Sequence, residues 1–134
     1  MTVCILGNSL TALTLAKALV NCEIGVDVIY NKKNYEINNT RTIGITKNNI
    51  DFFNRKIIKI EKLIWKLKKI EIFSENLKRE KLINFKTKND QLFSIVKNHK
   101  LYELIKKNLS KSKFFRLKFI NQKNLSFLNK YELI

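Results

Sequence analysis

Thr2-Val-Cys-Ile-Leu-Gly-Asn-Ser-Leu-Thr-Ala-Leu-Thr-Leu-Ala-Lys-Ala-Leu19 is the stretch on which the reading of this chain turns. Residues 3–6 form a continuous apolar run, the pattern of a strand buried on both faces of a parallel sheet. Gly7 ends it. From Ser9 or Leu10 to about Val20, the apolar residues Leu10, Leu13, Leu15, Ala16, Ala18 and Leu19 nearly encircle a predicted helix. Ala12 and Ala16 lie one turn apart, and their small side chains allow the helix to approach the strand closely. Gly25-Val-Asp-Val-Ile-Tyr30 then reads as a second strand, its glycine following the helix end.

A strand, a glycine turn, a helix and a second strand over about 30 residues make a βαβ unit whose helix N-terminus can hold a pyrophosphate. In the pattern Gly-x-Gly-x-x-Gly, the three positions fall on Gly7, Ser9 and Ala12. Gly7 stands where the turn is tightest, and Ala12 meets the need for a small residue against the strand. Ser9 departs from the pattern. Its side chain takes room where backbone approaches phosphate, although its hydroxyl can donate to a phosphate oxygen. Asp27 lies 20 residues after Gly7, the distance expected of a ribose-binding acid, but it falls near the start of the strand rather than its end. The strand end offers Asn31, a weaker ribose partner, and Glu36 follows.

The remaining features bound the possibilities. The chain has 134 residues, one domain's worth, and a hydrophobic fraction of 45%. No run of 18 apolar residues exists to span a bilayer, and the N-terminus lacks the pattern of a signal peptide. A cytoplasmic protein is the simplest expectation. The net charge of +16 suggests nucleic acid or an anionic membrane surface as partner. A plainer explanation is coding bias, because the excess is in Lys, accompanied by many Asn and Ile and no Pro. The lysines also spread over residues 47–130 as on a solvated exterior, so nucleic acid is the disfavoured partner. Cys4 and Cys22 have no further thiols or nearby histidine to complete a metal site and read as free, partly buried thiols. His99, the only histidine, lacks a catalytic companion at a recognisable spacing and reads as a surface or capping residue.

Downstream, 47–54 reads as a short helix, and Ile57, Ile60, Ile64 and Leu67 have the spacing of one helical face beside Trp65. Residues 82–87 and 91–96 read as strands paired across a Lys-Asn-Asp turn. A helix is predicted over 98–109, burying Leu101, Leu104, Ile105 and Leu109. Strands are predicted over 114–120 and 125–128.

Arg41-Thr-Ile-Gly-Ile-Thr-Lys-Asn-Asn-Ile-Asp-Phe-Phe53, following the second strand, resembles the corresponding segment of the FAD-dependent aromatic-ring hydroxylases, especially those of ubiquinone biosynthesis. Leu67-Lys-Lys-Ile-Glu-Ile-Phe-Ser74 resembles the family's first strand of the sheet beyond the cofactor, and Leu92-Phe-Ser-Ile-Val-Lys-Asn-His-Lys-Leu-Tyr-Glu-Leu104 its strand and helix returning to the flavin. The resemblance implies an α/β fold: a partial Rossmann-like FAD-binding βαβ unit with additional strands and helices, truncated relative to the family, in one domain over 1–134. It implies FAD as cofactor, Arg41 at the cofactor's phosphate and ribose region, and Asn98 at the flavin nucleotide. Arg41 is chemically suited, since its guanidinium can fork onto phosphate oxygens. The bland alternative is a solvated surface arginine.

Members of that family use an Asp-Gly and a later Gly-Asp segment, and this chain has neither, with Gly7, Gly25 and Gly44 its only glycines. No nucleophile, acid–base pair or metal cluster replaces them, so the expectation is a chain inactive alone, either split from a second polypeptide that completes the flavin site or decayed. Two alternatives stand beside it. One is a non-catalytic Rossmann-like binding or scaffold protein. The other is a basic adaptor for nucleic acid or an anionic membrane surface, using exposed aromatics such as Phe114, Phe115 and Tyr131. Because the family's quinone substrates are lipid-soluble, the resemblance also implies peripheral attachment at the inner membrane face.

Overall fold

The computed structural model describes residues 1–31, 39–75, 81–86, 93–120 and 126–134. The opening stretch folds as its pattern predicts: strand β1 over Thr2–Leu6, helix α1 over Leu10–Asn21 and strand β2 over Gly25–Tyr30. β1 and β2 are parallel, from Thr2 beside Gly25 to Leu6 beside Ile29. Parallel neighbours need a crossover, which α1 supplies.

The end of α1 is not made by Gly25. Glu23 adopts the left-handed conformation, with φ of 59°, while its N–H donates to Val20 O and the Ile24 N–H donates to Leu19 O. That is the pair of hydrogen bonds of a Schellman cap, formed on a residue other than the usual glycine. Gly25 instead serves the sheet. A Cβ there would sit 3.2 Å from Thr2 Oγ1, so its absence lets β2 start tightly against β1.

Arg41 precedes a short strand, β3, over Thr42–Ile45, followed by helix α2 over Lys47–Phe52 and one π-helical turn over Phe53–Ile57. Asn21 at the foot of α1 donates from its side-chain amide to the carbonyls of Lys56 and Ile57, both at 2.8 Å, which ties that turn to α1. The predicted helical face over 57–67 is not helical. Ile57 and Ile60 are buried, but 64–67 is strand β4, Ile64–Leu67, and Trp65 is 76% exposed. The apolar spacing that fits a helix also fits two core contacts in irregular chain followed by a half-buried strand.

Strand β5, Lys69–Phe73, pairs antiparallel with β6, Lys81–Lys86. Strand β7, Phe93–Lys97, pairs antiparallel with β3 and β4, giving a sheet ordered β3-β7-β4. The hairpin expected between 82–87 and 91–96 is therefore replaced by two separate pairings; its Lys-Asn-Asp turn lies outside the described residues. Helix α3 spans Asn98–Leu109, as predicted, and leads to strand β8, Phe115–Phe119, which joins β2 in parallel. The strand expected over 125–128 is instead a 3-10 turn, Ser126–Lys130, with Leu125 outside the described residues.

The central parallel sheet is ordered β1-β2-β8, and its residues alternate between two faces. Val3, Ile5, Val26 and Val28 pack with Ala12, Leu13 and Ala16 of α1 and with Leu101, Ile105 and Leu109 of α3. Cys4 and Ile29 pack on the other face against Leu128, Ile120 and Tyr131. Burial on both faces explains the unbroken apolar run of β1. Leu6 breaks the pattern at 52% exposure, and on α1 so does Leu15 at 51%.

Candidate functional site

In an open parallel sheet, ligands bind beyond the carboxyl ends of the strands. α1 leaves that end of β1 and returns to the foot of β2, and α3 descends from the end of β7 to the foot of β8. Both helix N-termini therefore stand at the carboxyl end of the sheet. Neither first turn carries an acidic residue, so the partial positive charge of each is not neutralised by its own side chains.

Gly7 closes the end of β1 by donating its N–H to Ile29 O at 2.7 Å, with φ of 101°. A Cβ on Gly7 would meet nothing within 4 Å, so glycine is required by the backbone conformation and the turn borders open space. Ser9 is the N-cap of α1: its Oγ accepts from the Ala12 N–H at 3.2 Å. This explains the serine at the second glycine position, because it replaces open backbone with a cap while leaving its O–H free to donate. The cap takes up the Ala12 N–H. The N–H groups of Leu10 and Thr11, which a helix cannot satisfy internally, are left to water or a ligand. Ala12 itself is buried against the sheet.

Asn31 follows β2 directly and is exposed. Glu36 lies outside the described residues. Arg41 is exposed, and its carbonyl accepts the N–H of Asn98 at 3.0 Å. The antiparallel pairing of β3 with β7 makes this contact, setting Thr42 beside Lys97. Two positions 57 residues apart thus meet at the start of α3.

Asp27 has another use. It occupies the middle of β2 on the face away from α1 and is 1% exposed. Its carboxylate accepts from Arg116 Nε at 2.6 Å, Lys118 Nζ at 2.7 Å and the Tyr131 hydroxyl at 2.6 Å. Burial would raise its pKa, but the hydrogen bonds from Lys118, Tyr131 and Arg116 outweigh it and hold the group at about 2. Burial and the Asp27 charge push the Tyr131 phenol and the Cys4 thiol upward. Asp27 is thus a clasp holding the C-terminal segment to the sheet. The sequence carries a partial sign of it, one acid between valines in β2 and two cations alternating with apolar residues in β8. Their pairing is not readable from spacing.

The aromatics considered for base stacking are similarly engaged. Phe114 and Phe115 are half-buried against the core, and Tyr131 packs by Leu128. Cys4 is buried and Cys22 exposed, both free. His99 follows Asn98 in the first turn of α3.

No protein-family model and no curated protein sequence matches the chain. Solved structures do. A p-nitrophenol 4-monooxygenase from Pseudomonas putida is 13% identical, with a TM-score of 0.70 over 90% of this chain and 32% of that protein. A probable FAD-dependent monooxygenase from Pseudomonas aeruginosa is 15% identical, with a TM-score of 0.70 over 89% of this chain and 32% of its own. A 2,6-dihydroxypyridine-3-hydroxylase from Arthrobacter nicotinovorans is 12% identical, with a TM-score of 0.65 over 87% and 28%. The chain spans about a third of the length of these proteins. Its fold resembles the N-terminal region of flavin-dependent monooxygenases as a class.

Proposed function

We propose that this chain is the nucleotide-holding part of a flavin-dependent monooxygenase of the ubiquinone-biosynthesis type, inactive alone and completed by a second polypeptide. The supporting observation is the convergence of the Gly7 turn, the N-terminus of α1 and the Arg41–Asn98 contact at one end of the parallel sheet. These groups fit the pyrophosphate of FAD. The N–H groups of Leu10 and Thr11 and the Ser9 hydroxyl offer donors, and Arg41 brings a charge that can bond two oxygens at once. Asn31, at the end of β2, is the ribose partner. FAD, when bound, supplies the redox chemistry; this chain's residues bind and orient its ADP half. The ubiquinone-type assignment is supported by the resemblance of the segments beginning at Arg41, Leu67 and Leu92.

Calorimetry with ADP and FAD tests the reading. Micromolar binding of ADP, weakened about tenfold or more by Arg41→Ala, is expected from loss of a charged phosphate contact. Absence of binding to both nucleotides, or equal binding by the variant, would overturn it. The capped Ser9 favours one rival, a scaffold that kept the fold without the cofactor, and the same absence of binding is its signature. Peripheral attachment to an anionic membrane face accompanies the proposal. The net charge of +16 supports it, while no helix among the described residues is long and apolar enough to cross a membrane. Flotation with anionic but not zwitterionic vesicles is the expected result.

A further inference from the structure

The proposed nucleotide site stands at the carboxyl end of the parallel sheet, and the opposite end, its foot, gathers positive charge. α1 and α3 run side by side from the carboxyl end and, at 12 residues each, both stop about 18 Å from where they start. Asn21 fastens the π-helical turn over Phe53–Ile57 to the end of α1, which brings that turn to the same level. Arg55 and Lys56 stand in its last turn, and Lys106 and Lys107 in the last turn of α3. Lys111 and Lys113 lie in the bend that leads from α3 into the foot of β8. All six are exposed, and at the end of α1 between the two groups the charged residue is Glu23.

Structural duties account for only part of this charge. Cations suit a helix C-terminus, where the last carbonyls bear partial negative charge, and that covers Lys106 and Lys107. Lys111 and Lys113 lie beyond the helix. In the first turn of α3, Lys100 pairs with Glu103, whereas among the described residues none of the six cations at the foot forms a salt bridge. Like charges crowded on the ends of neighbouring elements repel one another, a cost that an anionic partner removes.

We infer that the foot is the surface by which the chain lies on an anionic lipid bilayer, with the nucleotide end turned away from it. The inference rests on the membrane attachment stated above and assigns that attachment to one face. Charge complementarity selects the partner. Five of the six cations are lysines, flexible point charges suited to a diffuse layer of headgroups, and element ends at one level offer them to a plane. Duplex or single-stranded nucleic acid calls instead for arginine forks and open aromatic faces. At the foot Lys113 lies over the ring of Phe114 and Lys106 over that of Tyr102, so those faces are already taken.

Partitioning of the whole chain onto vesicles of mixed phosphatidylglycerol and phosphatidylcholine tests it, with two double variants that each remove two exposed lysines. Lys107→Gln with Lys111→Gln strips the foot and should weaken partitioning about 30-fold, the effect of two lysines at an anionic surface. Lys97→Gln with Lys100→Gln makes the same change in charge at the start of α3, about 10 Å or more from the foot and beyond the screening length at physiological salt. That pair should weaken partitioning less than about threefold. Both should keep the circular dichroism of the parent chain, since all four residues are exposed. Equal loss in the two pairs would overturn the assignment of the face and leave attachment itself standing. Failure of the parent chain to partition, or its capture by duplex DNA in preference to the vesicles at the same salt, would overturn both. ADP calorimetry without vesicles reads the nucleotide site separately.

Discussion

α1 and α3 are both 12-residue helices packed side by side on the same face of the parallel sheet, yet they differ in what they show outward. α3 buries Leu101, Tyr102, Ile105 and Leu109 and exposes Lys100, Glu103, Lys106 and Lys107. α1 buries Ala12, Leu13, Ala16 and Val20 and exposes Thr11 and Leu15. Charge on the outer face of α3 is what water requires of a surface helix. On α1 that charge is nearly absent in so basic a chain: Lys17 is its one charged residue, and Leu15 stands outward at 51% exposure. The N-terminus of α1 adds the Gly7 turn and the Ser9 cap, on which the proposed nucleotide site rests, whereas the start of α3 has the Asn98–Arg41 contact.

Substitutions can break or sharpen that contrast. On their inner faces the helices should behave alike: Leu13→Ala and Ile105→Ala, both at fully buried residues, should each lower stability by about 3 to 4 kcal/mol in chemical denaturation. On the opposite face of the sheet, Asp27→Asn should cost about 1 to 2 kcal/mol, a range that allows for the solvent exposure of Arg116 and Lys118. The sign follows from the depressed pKa. With Asp27 held at about 2 against an ordinary 3.8, its stabilisation is complete above about pH 4 and is lost as pH falls toward about 2. Denaturation midpoints measured across that range should show the step in the parent chain and a smaller one in Asp27→Asn.

Ser9→Ala removes the cap on α1 and should cost about 1 kcal/mol, with a similar loss of thermal midpoint whether or not ADP is present if the hydroxyl serves only as a cap. A larger loss with ADP would show the hydroxyl donating to phosphate. The smallest effect belongs to Leu15→Lys, which should change the stability of the isolated chain by no more than about 0.5 kcal/mol. A large destabilisation would mean that Leu15 already belongs to the core and would erase the difference between the two helices.

Much of this arrangement was legible where local pattern governs structure. Residues 25–30 and 98–109 fold over the bounds their apolar spacing predicts, because one strand is buried on both faces and one helix on a single stripe. Gly7 was readable as a turn because only glycine takes its conformation without strain. The Arg41–Asn98 contact was not readable from spacing, since it depends on β3 pairing with β7; a family resemblance pointed to both residues but did not bring them together. Asp27 had the right distance from Gly7 for a ribose acid, and only partners 89, 91 and 104 residues away reveal its actual role. The 57–67 segment misled because contacts with a common core can mimic helical periodicity without a helix.

The most direct test is to follow backbone amide signals by NMR during titration with ADP. Shifts centred on Gly7, Leu10, Thr11, Arg41 and Asn98, saturating at micromolar ADP, are the expected result. Shifts confined to the lysines on the outer face of α3, or spread weakly over the basic surface, would show that the anion is held by charge alone and would contradict a nucleotide site at the start of α1.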